Sequence, residues 1–189
     1  QIDAFDKAYR EVSYYRDDAW RGTAEYEGGG TLITQTTHLL DLMQWIAGPV
    51  SKAFAKTRTA YHDIETEDLA NAILTFKSGA SGVVVSSTCF RPAMKSRVEI
   101  HGTKGSAIFN GEYDEFYLWD VDGDDEKIDA PEGFKFCDVT DPMLFPMERH
   151  LLNLRNVLDA HENGTAPLID GREGLKATII KGAIYESAK

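Results

Sequence analysis

At 189 residues, with 42% hydrophobic and 27% charged side chains, the chain carries enough apolar surface for one sizeable core and lacks the composition of a disordered or fibrous protein. Its net charge of −11 excludes nucleic acid and anionic membrane as natural partners, because both demand a positive surface. No apolar run approaches the roughly 20 residues of a membrane helix and no signal-peptide pattern opens the chain, which predicts a soluble, cytoplasmic protein.

Residues Ile2 to Arg16 are rich in Phe, Tyr and Val with loose alternation and read as an opening strand that ends in Ser13-Tyr14-Tyr15-Arg16. Asp17 to Glu27 has no period and reads as a loop. Its Arg16, Trp20 and Arg21 admit two readings. They can hold an anionic or polyhydroxyl ligand by charge and stacking, or Trp20 pins the loop while the arginines pair with Asp17, Asp18 or Glu25.

Gly28-Gly29-Gly30 then leads into a periodic apolar run from Thr31 to Ala47 that Gly48-Pro49 stops, the pattern of a single helix. At helical pitch Thr34, His38, Asp41 and Trp45 form one polar-aromatic stripe, and Leu32, Leu39, Leu42, Met43 and Ile46 supply apolar surface on other sides. A histidine there, with a hydroxyl one turn before it and a carboxylate three residues after, can exchange a proton with a substrate hydroxyl near neutral pH. The structural alternative is a core histidine hydrogen-bonded to Asp41.

Segments of strand character follow over Lys52 to Thr59, Asp68 to Phe76, Ser81 to Cys89, Arg97 to His101, Ser106 to Asn110 and Glu115 to Val121. Short connections such as Lys77 to Ala80 and Gly102 to Gly105 predict antiparallel hairpins. Val83, Val84 and Val85 run without polar interruption, which predicts a strand covered on both faces. The acidic run from Asp120 to Asp129 fails the EF-hand template, since Asp125 stands where glycine belongs and Pro131 where glutamate belongs. It reads instead as a solvated hairpin tip turning at Asp122-Gly123.

Two helices close the chain. Pro146 opens the first, Met147, Leu151, Leu154 and Leu158 form its apolar repeat, and Asn163-Gly164 ends it. Asp170 and Glu173 make an acidic capping box for the second, whose Leu175, Ile179, Gly182 and Ala183 offer a face of small residues for close approach. The order strand, helix, many strands, two helices predicts an α+β domain with helices on one face of a mostly antiparallel sheet.

The chain contains no GxGxxG after a strand, no P-loop, no HExxH and no GxSxG. Gly28 to Gly30 has the wrong spacing for a dinucleotide fingerprint, so it grants close backbone approach or flexibility beside a site. Cys89 and Cys137 read as buried thiols, and His62, His101, His150 and His161 as structural or exposed, with no spacing that implies a metal.

The run GGGTLITQTTHLLDLMQWIAGPV resembles the substrate-domain signature of the glucose-fructose oxidoreductase, inositol dehydrogenase and rhizopine-catabolism (Gfo/Idh/MocA) family, in which GGG, a hydrophobic residue and HxxDxxxW recur in this arrangement. Trp20-Arg21-Gly22-Thr23, Thr66-Glu67-Asp68, Gly102 to Ser106, Gly164 to Pro167 with Asp170 to Gly174, and Ile184 to Ala188 agree in order. The resemblance implies a two-domain enzyme that moves a hydride between NAD or NADP and a sugar, cyclitol or similar polyol. Its second half is an open, mostly antiparallel sheet with helices on one face, which this chain resembles as a single unit over residues 1–189.

On that reading the chain begins at Gln1 and stops in a running helix because it is a piece of something longer. The dinucleotide-binding domain, with its glycine fingerprint and catalytic lysine, lies outside it. Only the family's histidine maps here, onto His38, with Arg16, Trp20, Thr34 and Asp41 as candidate substrate contacts. Thr34 departs from the Asp or Asn that many relatives carry one turn before the histidine. A homo-oligomer through the open sheet face is expected, and so is inactivity of the fragment alone. The competing reading is a non-catalytic sugar-binding or oligomerisation module with the same fold.

Overall fold

A computed structural model describes residues 1–110, 115–129 and 148–189. Strand β1 (Ile2–Lys7) is followed by α1 (Val12–Arg16), α2 (Thr31–Thr34) and α3 (Thr37–Ala47). Six strands come next: β2 (Val50–Arg58), β3 (Leu69–Phe76), β4 (Ser81–Ser87), β5 (Arg97–Gly102), β6 (Gly105–Phe109) and β7 (Phe116–Val121). Helices α4 (Glu148–Glu162) and α5 (Gly171–Ala188) complete the described residues. The strands form one open seven-stranded sheet in the order β2-β3-β4-β1-β5-β6-β7. Neighbours are antiparallel except β1 and β4, which run parallel. The fold is α+β, as the order of elements predicts.

Alternation along the strands decides which face is covered. In β3, Ala70, Ala72, Leu74 and Phe76 are buried while Asn71, Ile73 and Thr75 face outward. The buried set joins Leu39, Leu40 and Met43 of α3 and Ile180 and Ile184 of α5 in one core. Burying a side chain such as Leu40 or Met43 contributes about 2 kcal/mol, so α3 and α5 are held mainly by this layer. The other face stays open, with Phe54 64% and Ile73 54% exposed.

Several details differ from the sequence reading. The opening strand ends at Lys7, and Tyr14 and Tyr15 belong to α1. A strand would throw these neighbours to opposite faces. The helical turn instead lets their rings meet edge-on at 5.0 Å and lets the Tyr15 hydroxyl donate to Thr88 Oγ1 at 2.9 Å. Val84 is fully buried, but Val83 and Val85 lie half-buried on the open face, so β4 is covered on one side only. The Asp170 carboxylate accepts from the Arg172 and Glu173 N–H groups, yet Glu173 turns to Lys176, leaving half a capping box. On α5 the buried residues are Ala177, Ile180, Lys181 and Ile184, and the face with Leu175, Ile179 and Gly182 points away from the core.

The acidic hairpin tip turns where expected, with Gly123 at φ +84 and a bridge between Trp119 and Ile128 behind it. The readings placed on Cys137, Pro146 and Met147 lie outside the described residues.

Candidate functional site

The glycine run is a tight junction. The Glu67 carboxylate, buried just before β3, accepts the Gly30 N–H at 3.0 Å and the Leu32 N–H at 3.1 Å, and the Glu67 carbonyl accepts the Thr31 N–H at 2.9 Å. One residue thus satisfies three of the donors that a helix start leaves orphaned. A Cβ on Gly30 would lie 1.7 Å from the Glu67 carbonyl oxygen, and one on Gly29 would lie 2.5 Å from the Tyr185 hydroxyl. Close approach, rather than flexibility, is what these glycines supply. Tyr185 of α5 donates to Glu67 at 2.8 Å, and burial together with that carboxylate pushes its phenol well above the ordinary value, keeping it a donor.

The predicted single helix is broken at Gln35 and Thr36. Short hydroxyl side chains compete for helix carbonyls, and the stretch holds Thr31, Thr34, Thr36 and Thr37. The Thr37 hydroxyl donates to Ile33 O at 2.8 Å, taking the carbonyl that a continuous helix would give to its own N–H. The Thr36 hydroxyl donates to Ser86 on β4 and reaches Asp6 on β1 at 3.4 Å, while Thr31 and Ser86 exchange a bond of 2.7 Å. Lys181 donates to Thr37 Oγ1 at 3.1 Å from α5, and burial lowers its ammonium pKa. The break is therefore bolted to two strands and a helix.

Around that break Thr34 and His38 remain exposed, Asp41 is half-buried and Trp45 is 72% exposed, with Thr34 in α2 and the other three in α3. The Thr34 hydroxyl donates to Gly30 O at 3.1 Å. Asp41 accepts from Gln44 Nε2 at 3.3 Å. No hydrogen bond joins it to His38, which also removes the core-histidine alternative.

Arg16 pairs with Asp17 at 3.0 Å and Arg21 with Asp18 at 2.8 Å, the pairing that one reading of the loop proposed. Trp20 is half-exposed, with the Arg21 guanidinium 4.8 Å from its ring centroid and 3.9 Å from that of Tyr14. The fold does not draw Arg16 into any bond with the residues of the stripe.

Sequence reasoning missed the supporting residues. Thr66-Glu67-Asp68 figured only as a family motif, yet Glu67 anchors α2 and Asp68 binds His62. The His62 ring is 1% exposed, with Nδ1 at 2.9 Å from Asp68 Oδ2 and Nε2 at 2.9 Å from the Arg10 carbonyl oxygen. Burial pushes the Asp68 carboxyl up, but the N–H groups of His62, Ala60 and Tyr61 and the His62 ring outweigh it and hold the carboxyl below the usual range. The signal available was the run of a histidine and a carboxylate six residues apart around a turn. It is too common to single out.

The glycine run does not offer a phosphate its N–H groups. The N–H groups at Gly30 and Leu32 that would grip phosphate already serve Glu67, whose negative charge fills the helix N-terminus. Among the described residues no group of three or more His, Cys, Asp or Glu is placed to hold a metal ion, and no helix is long and apolar enough to cross a membrane.

The sequence profile of the GFO/IDH/MocA C-terminal domain matches residues 4–108, more than half of the chain, and the chain belongs to that family. A D-apiose dehydrogenase of Paraburkholderia graminis is 27% identical over 157 residues, covering 80% of this chain and 41% of that protein. The structure of the WlbA dehydrogenase of Bordetella pertussis, in complex with NADH and UDP-GlcNAcA, matches with a TM-score of 0.77 and 29% identity over 99% of this chain and 52% of that one. A levoglucosan dehydrogenase in complex with NADH and levoglucosan shares the fold, with a TM-score of 0.76 and 21% identity over 99% of this chain and 56% of that one. The chain spans about half the length, or less, of these relatives.

Two outcomes check the supports. Gly30→Ala must push apart α2 and the Glu67 backbone and should cost about 3 kcal/mol or more in urea unfolding, whereas Gly28→Ala, with open space around it but φ at +79, should cost about 1 kcal/mol. For Asp68 the folded pKa lies below the unfolded value. Its stabilisation is therefore complete above the ordinary aspartate value of about 4 and is lost as pH falls through the lower folded value. Asp68→Asn should lower stability at pH 7 and flatten this acid limb, read from urea midpoints across pH 2 to 7.

Proposed function

We propose that this chain is the substrate-binding and oligomerisation domain of an NAD(P)-dependent oxidoreductase acting on a sugar, cyclitol or similar polyol. The observation that carries the reading is His38. It stands exposed, without a hydrogen-bond partner among the described residues, on a segment whose start and break are fastened by Glu67, Ser86, Lys181 and Tyr185. An imidazole left unpartnered on a fastened backbone is suited to take or return the proton of a substrate hydroxyl. Its family membership and its likeness to D-apiose dehydrogenase and to the WlbA dehydrogenase support a carbohydrate as the substrate.

The redox chemistry belongs to a nicotinamide dinucleotide held on a separate dinucleotide-binding domain, since the glycine run here is filled by Glu67. The NADH present in the WlbA complex favours NAD over NADP. Thr34, exposed four residues before His38, offers a neutral hydroxyl to the substrate, and Asp41 lies one turn further along. Arg16 and Trp20 form a more distant rim. The open sheet face, with Phe54 and Ile73 uncovered, is the surface through which copies of the domain associate.

In the full-length protein His38→Ala should lower sugar-dependent reduction of NAD by about 100-fold or more while leaving cofactor binding intact. An unchanged rate would demote His38 to a surface residue and favour the non-catalytic module. Residues 1–189 alone should show no calorimetric NAD binding in the micromolar range. Tight binding would place the cofactor site on this chain and overturn the two-domain reading.

A further inference from the structure

Arg10 lies between β1 and α1 and is fixed at both ends. Its N–H donates to Thr88 O at 2.7 Å and its carbonyl meets His62 Nε2 at 2.9 Å. Its guanidinium donates through Nη2 to Gln35 Oε1 at 3.1 Å and through Nη1 to Tyr9 O at 3.4 Å, and lies 5.4 Å from the Tyr14 ring centroid. Nε is shielded from solvent and donates to nothing.

Charge sets Arg10 apart from the arginines around it. Arg16, Arg21, Arg91 and Arg97 each pair with a carboxylate, from Asp17, Asp18, Glu11 and Glu99 respectively. Among the described residues no carboxylate comes within ion-pair distance of Arg10. Even its neighbour Glu11 is turned toward Arg91 at 3.6 Å and the Tyr9 hydroxyl at 3.3 Å. A half-buried guanidinium forfeits hydration, which neutral acceptors such as Gln35 and the Tyr9 carbonyl replace without balancing its charge. Its planar fork is shaped to receive two oxygens of a carboxylate or phosphate. Gln35, which holds it, occupies the break between α2 and α3, next to Thr34 and three residues before His38.

We propose that Arg10 is a specificity-determining residue that receives an anionic oxygen group, carboxylate or phosphate, carried by the sugar. The proposal rests on the reading of the Thr34–His38 stripe as the sugar site. It goes beyond that reading by choosing charged sugars over neutral ones. A tie between β1 and the α2–α3 break would need only the Gln35 bond. It would not need an unpaired positive charge.

The test uses the full-length protein and three probes that differ at one carbon: D-glucuronate, D-glucose 6-phosphate and D-glucose. Dissociation constants are measured by calorimetry with the cofactor bound, so that the readout does not depend on turnover. At least one charged probe should bind about 10-fold or more tighter than glucose, and which of the two does so separates carboxylate from phosphate. R10Q should bring that ratio to about 1 while glucose affinity changes by less than about 2-fold. In the unaltered protein the excess affinity should shrink as salt rises from about 0.05 to 0.5 M, a measurement independent of how any variant folds. Equal affinity for all three probes, including no measurable binding of either charged one, overturns the proposal. So does an R10Q protein that weakens all three alike, which is the mark of a structural tie. If charged probes bind in an Arg10-dependent way but none reduces NAD, the dehydrogenase reading fails and the role of Arg10 stands.

Discussion

The Glu67 carboxylate is the contact on which the rest of the site depends. A helix start presents N–H donors that need partners once water is removed, and here one acidic residue just before β3 satisfies them with its side chain and its carbonyl together. That arrangement draws the Gly30 backbone so close to Glu67 that a methyl group cannot fit between them. It also draws in Tyr185, so the C-terminal helix, β3 and the start of α2 meet at one buried charge. The charge is tolerable because three protein donors surround it, and removing any one would leave part of a carboxylate unsolvated.

Hydroxyl bonds extend the same logic away from Glu67. Ser86 in β4 ties Thr31 and Thr36, Asp6 stands behind Thr36, and Lys181 reaches Thr37. Because β1 occupies the middle of the sheet, between β4 and β5, the segment bearing His38 is referred to the most deeply paired strands. Thr34 and Asp41 are bonded within the protein, and His38 has no hydrogen-bond partner among the described residues. An exposed imidazole on a fastened backbone is available to exchange a proton with a bound molecule.

A second buried polar centre, His62 with Asp68, steadies the adjacent loop. It anchors the backbone of Arg10 and meets the Tyr15 ring at a tilt with centroids 4.6 Å apart, and so positions α1 and the arginine-aromatic cluster around Tyr14. Glu67 and Asp68 are consecutive, and each serves a different side of the site. Next to a strand, successive side chains diverge, so one acidic pair reaches both α2 and the loop before β3.

Period and turn chemistry in the sequence were sufficient for the six strands after the helix, for the hairpins between them, for both closing helices and for the α+β class, because these follow from local alternation and from glycine at the turns. The placing of His38, Asp41 and Trp45 on one helix was legible for the same reason, whereas Thr34 belongs to a separate helix before the break. Local pattern did not reveal the helix break, the one-sided cover of Val83 to Val85, the turn of helix at Tyr14 and Tyr15, or the work of Glu67, Asp68, Arg10 and Lys181. Most of these depend on a partner tens of residues away, as Glu67 to Tyr185 and Thr36 to Ser86 illustrate, while Asp68 finds its partners in the turn six to eight residues before it. The chain by itself determined which side chains can share a face. Only the tertiary structure decided which buried donors and acceptors found each other, and with that which residues were left open to a ligand.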